Sequence, residues 1–381
     1  MWFLVVGIFA CSASLNDAQY LLGLAEGEVC SDRSEGQWIC TAHKQCTHVD
    51  LKVMRPTICS FKGKLPIICC PPKKKMSKAE MSCLRYIAEI PCPIKISIPG
   101  VHIAVVGGKE SKSKTQRHMR QTAENDTEEL PPPSIVGGQP APSRKHREMA
   151  LIGYGPKNNI DWRCGGSLVS ELWVLSAAHC TNTADSGPAA WARLGELDHS
   201  TNNDDARPQD QRIVQRINHP QYKEPLKYHD IALYKLESRV LFDQYVAPIC
   251  LHTAFDIDEP KGTVVGWGRT DFADDVSSRL MEVDITLIDN PECRRLYGSN
   301  DPTAPRGIER LTMLCAGEKE GGKDACIGDS GGPMVINQPG SCLKKQVGIT
   351  SFGRDCGLPN SPGIYTRVSS YVGWIESIVW P

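Results

Sequence analysis

The stretch Gly328-Asp329-Ser330-Gly331-Gly332-Pro333 is the most informative part of this 381-residue sequence. It places one serine among glycines, whose backbone can approach a bound molecule closely because no Cβ intervenes. A serine in such a turn can present its hydroxyl and the neighbouring backbone N–H groups to a substrate carbonyl. The stretch therefore indicates a nucleophilic serine at Ser330.

Two further stretches carry the side chains that such a serine needs. Ser176-Ala177-Ala178-His179-Cys180 offers a histidine, and His229-Asp230-Ile231-Ala232-Leu233 offers an aspartate before an apolar run. Each is weak evidence alone, because such a histidine is more often structural and such an aspartate is more often a turn or a cap. Together, in the order His, Asp, Ser, they indicate a catalytic set.

In that order the three stretches resemble those of the chymotrypsin-like serine proteases, and the resemblance extends from Ile135 to Pro381. It implies an all-β fold of two six-stranded antiparallel barrels with a C-terminal helix. Short β-branched runs such as Thr263–Val265 and Gln346–Ser351, separated by turn residues, agree with this fold class. Apolar residues near helical spacing over Val368–Val379 predict one amphipathic terminal helix.

The resemblance implies a role for each residue of the set. His179 would take the proton of Ser330 and pass it to the leaving amine, because a serine hydroxyl is a poor nucleophile near neutral pH. Asp230 would bond the other ring nitrogen and stabilise the imidazolium. The backbone N–H groups of Gly328 and Ser330 would form the oxyanion hole. We therefore expect a trypsin-like serine endopeptidase.

Specificity is implied by Asp324, which stands six residues before the serine, where this family has the floor of the primary pocket. Gly353 and Gly363 match the pocket walls, and Ser351 and Phe352 match neighbouring substrate-binding positions. A carboxylate at the end of a deep slot pairs with Arg or Lys, so we expect cleavage after these residues. Phe352 departs from the family, which usually has tryptophan there. Because an aromatic is retained, we expect altered subsite contacts without loss of activity.

Composition points to an extracellular chain. Its 43 Lys+Arg against 44 Asp+Glu leave a net charge of −1, which gives no electrostatic footprint for nucleic acid or an anionic membrane. No apolar run reaches the roughly 18–20 residues of a membrane span. The 17 cysteines are scattered without paired zinc motifs, which indicates disulfides formed in an oxidising compartment. The apolar run Trp2–Cys11 and the small residues after it predict a secretory signal over residues 1–13.

Between the signal and Ile135 the chain divides in two. Residues 30–70 hold six cysteines and are too few to be stable without covalent staples. Residues 71–134 are rich in proline and polar side chains with little periodicity, so we interpret them as an exposed, flexible linker and activation segment. Within it, Asn125-Asp126-Thr127 is a glycosylation sequon at Asn125. The predicted domains are thus 1–13, 30–70, 71–134 and 135–381.

The six cysteines, closed by the adjacent pair Cys69-Cys70 ahead of a protease, resemble a clip domain of extracellular arthropod proteases. Ala192–Asp198 and Lys227–Asp230 look like the snake-like group of these proteases. The clip resemblance implies the pairs Cys30–Cys69, Cys40–Cys59 and Cys46–Cys70. The protease resemblance implies Cys164–Cys180, Cys293–Cys315 and Cys326–Cys356. Cys11 lies in the predicted signal, so four cysteines are left over. They would form two bridges between linker and protease, in an order that stays open: Cys83, Cys92, Cys250 and Cys342.

Ile135-Val136-Gly137-Gly138 resembles the new N-terminus that these proteases acquire on activation, whose ammonium pairs with Asp329. The similar stretch Val105–Gly108 lies too far upstream of the first protease strands. Ser134 precedes Ile135, whereas the family usually has Arg, Lys or sometimes Leu there. Three explanations stay open: an activator of unusual specificity, an atypical linker, or cleavage elsewhere, for example near Arg120.

The resemblance to clip-domain proteases therefore implies a secreted zymogen whose substrate is a downstream protease zymogen in an immune or developmental cascade. The family implies an upstream activating protease and a serpin-type inhibitor, and a monomer is the default. We expect no required cofactor. Acidic residues of a predicted surface loop could supply oxygen ligands for Ca²⁺, although an ordinary solvated acidic loop is the simpler interpretation: Glu196, Asp198, Asp204, Asp205 and Asp210. The rival hypotheses are a broad-specificity digestive trypsin and a non-catalytic adaptor that binds through its clip domain.

Overall fold

The computed structural model divides the chain into two units, Met1–Met76 and Ser77–Pro381, which are described separately. The structure describes residues 22–33, 36–47, 57–70, 76–90, 137–268, 277–298, 301–325, 328–338, 340–354 and 356–381. None of the helices in these ranges has the length and apolar content that a bilayer span requires.

The N-terminal unit is a four-stranded antiparallel sheet in the order β1-β2-β4-β3. Its strands are β1 Val29–Arg33, β2 Gly36–Ala42, β3 Ile58–Lys62 and β4 Leu65–Cys70. Most of its buried apolar residues are the cysteines themselves, with Ile67 and Ile68 between them. Three disulfides therefore take the place of a larger core: Cys30–Cys69, Cys40–Cys59 and Cys46–Cys70. These are the pairs that the clip resemblance implies.

The second unit begins with helix α1, Lys78–Glu89, in a segment where the sequence pattern predicts an exposed linker. The helix starts at a reciprocal cap, because Ser77 Oγ accepts the Glu80 N–H and the Glu80 carboxylate accepts the Ser77 N–H. Its buried positions include Cys83 and Tyr86 on one face. So few apolar positions give only a weak helical periodicity in the sequence, which is why the pattern does not predict this helix. A disulfide through Cys83 helps to hold the helix in place.

Helix α1 packs on the protease part of the second unit. Cys83 forms a disulfide with Cys250, and the Tyr86 ring lies edge-on to Phe242 with 5.6 Å between centroids. The Ala79 N–H donates to Glu376 Oε1 at 2.8 Å. Part of the predicted linker is thus a fixed element of the catalytic unit.

We expect Tyr86→Ala to lower the free energy of unfolding of this unit by about 3 kcal/mol, because truncating a buried aromatic side chain leaves a cavity. Tyr86 is 1% exposed, whereas Met81 on the outer face of the same helix is 51% exposed. Met81→Ala is therefore the matched control and should change stability by less than about 0.5 kcal/mol. Equal denaturant midpoints for the two variants would contradict this packing.

Two closed antiparallel barrels form the rest of the unit and confirm the predicted fold. Six strands close the first barrel through the β10–β11 pair, in the order β11-β12-β8-β7-β6-β10. Six more close the second through the β18–β19 pair, in the order β18-β17-β14-β15-β16-β19. The short strand β5 Gln139–Pro140 pairs with the second barrel. The first barrel and the short β9 beside it consist of β6 Met149–Tyr154, β7 Asp161–Ser170, β8 Trp173–Ser176, β9 Asn182–Thr183, β10 Gly187–Leu194, β11 Gln209–Asn218 and β12 Ala232–Leu236. The second is β13 Cys250–Leu251, β14 Lys261–Gly266, β15 Met281–Ile288, α2 Asn290–Tyr297, β16 Met313–Ala316, β17 Pro333–Asn337, β18 Lys344–Phe352 and β19 Gly363–Arg367.

The C-terminal helix is shorter than its apolar spacing predicts. Residues Val368–Tyr371 form a 3₁₀ turn, and the α-helix α3 covers only Val372–Val379. The break falls at Tyr371, whose backbone (φ −117°, ψ 4°) leaves the helical region. The 3₁₀ turn and the α-helix both bury apolar side chains, so the spacing of apolar residues in the sequence could not distinguish one from the other.

Candidate active site

His179 and Asp230 are brought together by neighbouring strands of the first barrel. His179 lies in the 3₁₀ turn Ala178–Thr181 after β8, and Asp230 lies two residues before β12, which pairs with β8. His179 Nδ1 is 2.7 Å from Asp230 Oδ2, and the His179 backbone N–H donates to Oδ1 at 2.9 Å. This double contact fixes the ring relative to the carboxylate and leaves Nε2 to act on a proton.

The Asp230 carboxylate is fully buried yet ionised. Burial opposes ionisation, but the His179 imidazole, Lys227 and the Ser351 hydroxyl together hold the pKa of Asp230 below its usual range. Ser351 Oγ donates to Oδ2, and Thr366 Oγ1 donates to the Asp230 backbone carbonyl at 2.8 Å. An ionised Asp230 carboxylate can stabilise a protonated imidazole.

Ser330 lies in a glycine turn that leads into β17 of the second barrel. Gly328 (φ 102°) and Gly331 (φ 78°) adopt backbone conformations that side chains disfavour. A Cβ on Gly331 would lie 2.3 Å from Ser176 Oγ. The turn is fixed because the Gly331 N–H donates to Thr350 O at 2.8 Å and Ser330 O accepts the Gly165 N–H at 2.7 Å.

The two barrels meet where these turns contact each other. The Ser330 carbonyl oxygen is 3.5 Å from Sγ of Cys180, the neighbour of His179. Ser351, which bonds Asp230, lines the same cavity as Ser330. The structure therefore brings Ser330, His179 and the buried Asp230 carboxylate into one region. This arrangement suits acyl transfer, since the base can take the serine proton during attack.

A cavity of about 120 Å³ opens beside Ser330. Asp324 lies in it, 4% exposed, and its Oδ2 accepts the Gly357 N–H at 3.3 Å. The predicted wall glycines line it too, and a Cβ on Gly363 would stand 3.0 Å from Asp324 Oδ1. The remaining lining residues include ones that the sequence did not single out: Thr350, Arg354, Ile364 and Tyr365. Tyr365 could have been found by strand alternation, since it stands two residues after Gly363.

Burial raises the pKa of Asp324 to about 7, and Asp329 adds to the shift. Only the ionised carboxylate attracts a cationic side chain, so we expect discrimination in favour of Arg to fall as the pH drops below 7. The kcat/KM for an Arg amide, divided by that for its neutral citrulline counterpart, should fall by about tenfold per pH unit there. A group whose protonation affects the turnover of both substrates alike cancels in the ratio. A ratio that stays constant from pH 8 to pH 5 would contradict the placement of Asp324.

The other predicted positions are distributed as follows. The protease pairs Cys164–Cys180 and Cys293–Cys315 are present, and Cys342 and Cys356 are disulfide-bonded. Phe352 lines the cavity and lies edge-on to Tyr297, with 5.7 Å between ring centroids. The predicted signal peptide and several predicted site residues lie outside the described residues: Cys92, Asn125, Ser134, Ile135 and Cys326.

Comparison with known proteins gives the family. Residues 135–375, more than half of the chain, match the family model described as Trypsin. The chain belongs to the trypsin family. This trypsin-family chain is 37% identical to serine protease snk of Drosophila melanogaster, over 94% of its own length and 80% of the relative. It is 30% identical to venom serine protease Bi-VSP of Bombus ignitus, over 96% of both, and 29% identical to the proclotting enzyme of Tachypleus tridentatus, over 98% and 95%.

The trypsin-family chain is therefore a serine endopeptidase similar to arthropod proteases, as its motifs predict. In such an enzyme the described geometry gives each group a task. His179 would receive the proton as Ser330 attacks the peptide carbonyl, and Asp230, 2.7 Å from the ring, would stabilise the charge that develops on it. His179 would then protonate the leaving amine, and water would repeat the cycle on the acyl-enzyme.

Proposed function

We propose that the chain is a secreted zymogen of an endopeptidase that cleaves after Arg or Lys and activates a downstream protease zymogen in an extracellular cascade. The observation that carries the specificity is Asp324 at the end of the cavity beside Ser330. Its Oδ1 is buried without a hydrogen-bond partner among the described residues, as are Thr350 Oγ1 and Tyr365 Oη. A guanidinium or ammonium group supplies donors and a countercharge, which compensates for the burial of these atoms.

Activation by a new N-terminus is supported by the surroundings of Asp329. This carboxylate is fully buried, accepts the Gly268 N–H at 2.9 Å, and stands where a Cβ on Gly266 would be only 2.1 Å away. Gly137 follows Ile135 by two residues, and a Cβ there would lie 2.0 Å from Gly322 O, just before Asp324. We propose that the Ile135 ammonium, once freed, pairs with Asp329 and orders the pocket.

The proposed partners follow from the relatives and the six-cysteine unit. One relative is named clotting factor G beta subunit and another proclotting enzyme, which supports a place in a protease cascade. We propose an upstream activating protease, a serpin-type inhibitor and a monomeric enzyme. The reaction uses side chains of the chain itself and no cofactor. The acidic loop is tied by its own hydrogen bonds, for example the Asp198 N–H to Asp204 Oδ2 at 2.9 Å.

The test replaces Glu128–Ser134 with a recognition sequence for a specific protease that cuts immediately before Ile135. Hydrolysis of Arg, Phe and Leu peptide amides is compared before and after the cut. The proposal predicts little turnover before the cut and rapid hydrolysis of the Arg amide after it. Hydrolysis that is as fast before the cut as after it would contradict the proposal that the uncut chain is an inactive zymogen. No hydrolysis after it, with Ile135 verified as the N-terminus, would favour a non-catalytic adaptor.

A further inference from the structure

The residue before Asp230 has an unusual backbone. His229 adopts φ 55°, in the left-handed region that few residues with a side chain enter. The turn is tight, because the Ile231 N–H donates to His229 O at 2.8 Å. Such a conformation persists only where surrounding contacts hold it, and it decides the direction in which the next side chain points.

The contacts come from the His229 side chain. Its Nδ1 is 2.9 Å from the Tyr371 hydroxyl, and its ring stacks on His219 with 5.2 Å between centroids and 18° between planes. The Tyr371 ring stands edge-on to both imidazoles. Tyr371 itself is 3% exposed at the start of α3. We call His219, His229 and Tyr371 the imidazole clamp.

The clamp also holds the backbone on the far side of Asp230. The His219 N–H donates to Ile231 O at 3.0 Å, so the clamp engages the residues immediately before and after the aspartate. Thr366 binds the Asp230 carbonyl from β19, five residues ahead of Tyr371. The main chain at Asp230 is thus fixed from the C-terminal end of the protein, independently of the contacts that His179 and Ser351 make with the carboxylate.

Both clamp imidazoles favour the neutral form. Burial lowers the pKa of His219, and the neighbouring His229 adds to the effect. Burial also lowers the pKa of His229, where Glu309 acts in the opposite direction and Arg306 in the same one. A neutral imidazole keeps its hydrogen bond with Tyr371 in either tautomer, because a hydroxyl can donate or accept.

We propose that His229 is a positioning residue of the catalytic triad, held by Tyr371 and His219 so that its left-handed turn aims the Asp230 carboxylate at His179. The role is distinct from that of Ser351, since His229 acts through the main chain. Asparagine tolerates the same backbone conformation and can bond Tyr371, whereas alanine can do neither well.

The test compares His229→Ala, His229→Asn and Tyr371→Phe in protein cut before Ile135, with His252→Ala as control. His252 is a surface histidine bonded to the Asp256 carbonyl, away from the triad. We expect His229→Ala to lower kcat roughly 10- to 100-fold with little change in KM, since small misplacements of reacting groups cost this much. Tyr371→Phe should lose less, His229→Asn should recover most of the loss, and the control should stay within about twofold of the parent.

A readout that mere loss of stability would not move is the acid limb of the kcat/KM profile, measured with the neutral citrulline amide because its binding does not depend on the charge of Asp324. A displaced Asp230 stabilises the protonated catalytic imidazole less, so the limb should move to lower pH in His229→Ala and return in His229→Asn. The proposal is overturned if His229→Ala keeps the parent kcat and profile, or if asparagine is no better than alanine.

The inference rests on the proposed function only in its kinetic tests, which need a cut protein that turns over substrate. If the cut parent protein shows no turnover, the low-field proton resonance of the His179–Asp230 hydrogen bond is compared instead in the parent and variants. Weakening of that resonance in His229→Ala and its recovery in His229→Asn would support the positioning role even though the proposed activity had failed. An unchanged resonance would refute it.

Discussion

Ser330→Ala in protein cut before Ile135 is expected to lower kcat for an Arg amide by about 10⁶-fold, the cost of removing the nucleophile in another serine protease. The loss is this large because His179 and Asp230 activate a hydroxyl that is then missing. Binding of a cationic competitive inhibitor should persist, since Asp324 and the pocket are untouched. The measurement is steady-state kinetics on the cut parent and variant, with thermal unfolding to show that the fold is intact.

Ser200→Ala is the matched control for this substitution. Ser200 is an exposed serine whose hydroxyl donates to Asp198 Oδ1 in a surface loop. Its replacement should leave kcat within about twofold of the parent value, as surface substitutions away from the site usually do. A kcat for Ser330→Ala close to that of Ser200→Ala would show that Ser330 is not the nucleophile.

Asp324→Ser is expected to produce the second-largest effect. Removing one partner of a buried ion pair costs about 3–5 kcal/mol, so kcat/KM for an Arg amide should fall by roughly two to four orders of magnitude. Turnover of the neutral citrulline amide should change little, because that side chain never paired with the carboxylate. The two substrates would thus become nearly equivalent for the variant.

The control here is Asp185→Ser, which removes the same charge from a side chain that is 79% exposed. It should leave the preference for Arg over citrulline unchanged, since exposed charges are screened by solvent. If Asp324→Ser retained the parent preference, the specificity for Arg or Lys would have to come from residues other than Asp324.

The barrels and the contact between His179 and Asp230 could be predicted from sequence because their signals are local. Gly328 and Gly331 have positive φ angles, and Gly331 lies too close to Ser176 to carry a Cβ. These requirements fall on neighbouring residues, so a short motif is enough to recognise the turn. His179 and Asp230 each adjoin a barrel strand with a clear apolar run. Their mutual distance follows from the pairing of β8 with β12 once the fold is known.

Features that depend on contacts distant in sequence could not be predicted. Helix α1 has too few apolar residues to show a clear helical periodicity in the sequence. It is held instead largely by contacts with Cys250 and Glu376, which are distant in sequence. A second case is His146, which lies buried between Glu148 and Glu282. Although burial opposes ionisation, hydrogen bonds from His146 and Lys145 lower the pKa of Glu282 to about 2. No local pattern in the sequence marks this cluster.

The measurement that tests the central claim most directly is mass spectrometry after treating the cut protein with a diphenyl phosphonate that carries an amidinophenyl group. The amidinium mimics an arginine side chain and should enter the cavity toward Asp324. Ser330 Oγ would then attack phosphorus, and one phosphorus–phenoxide bond would break. His179 would take the serine proton and pass it to the departing phenoxide, which leaves as phenol. We predict a single adduct on Ser330 that benzamidine prevents. An adduct on another residue, or no adduct in protein whose N-terminus is verified as Ile135, would contradict the assignment.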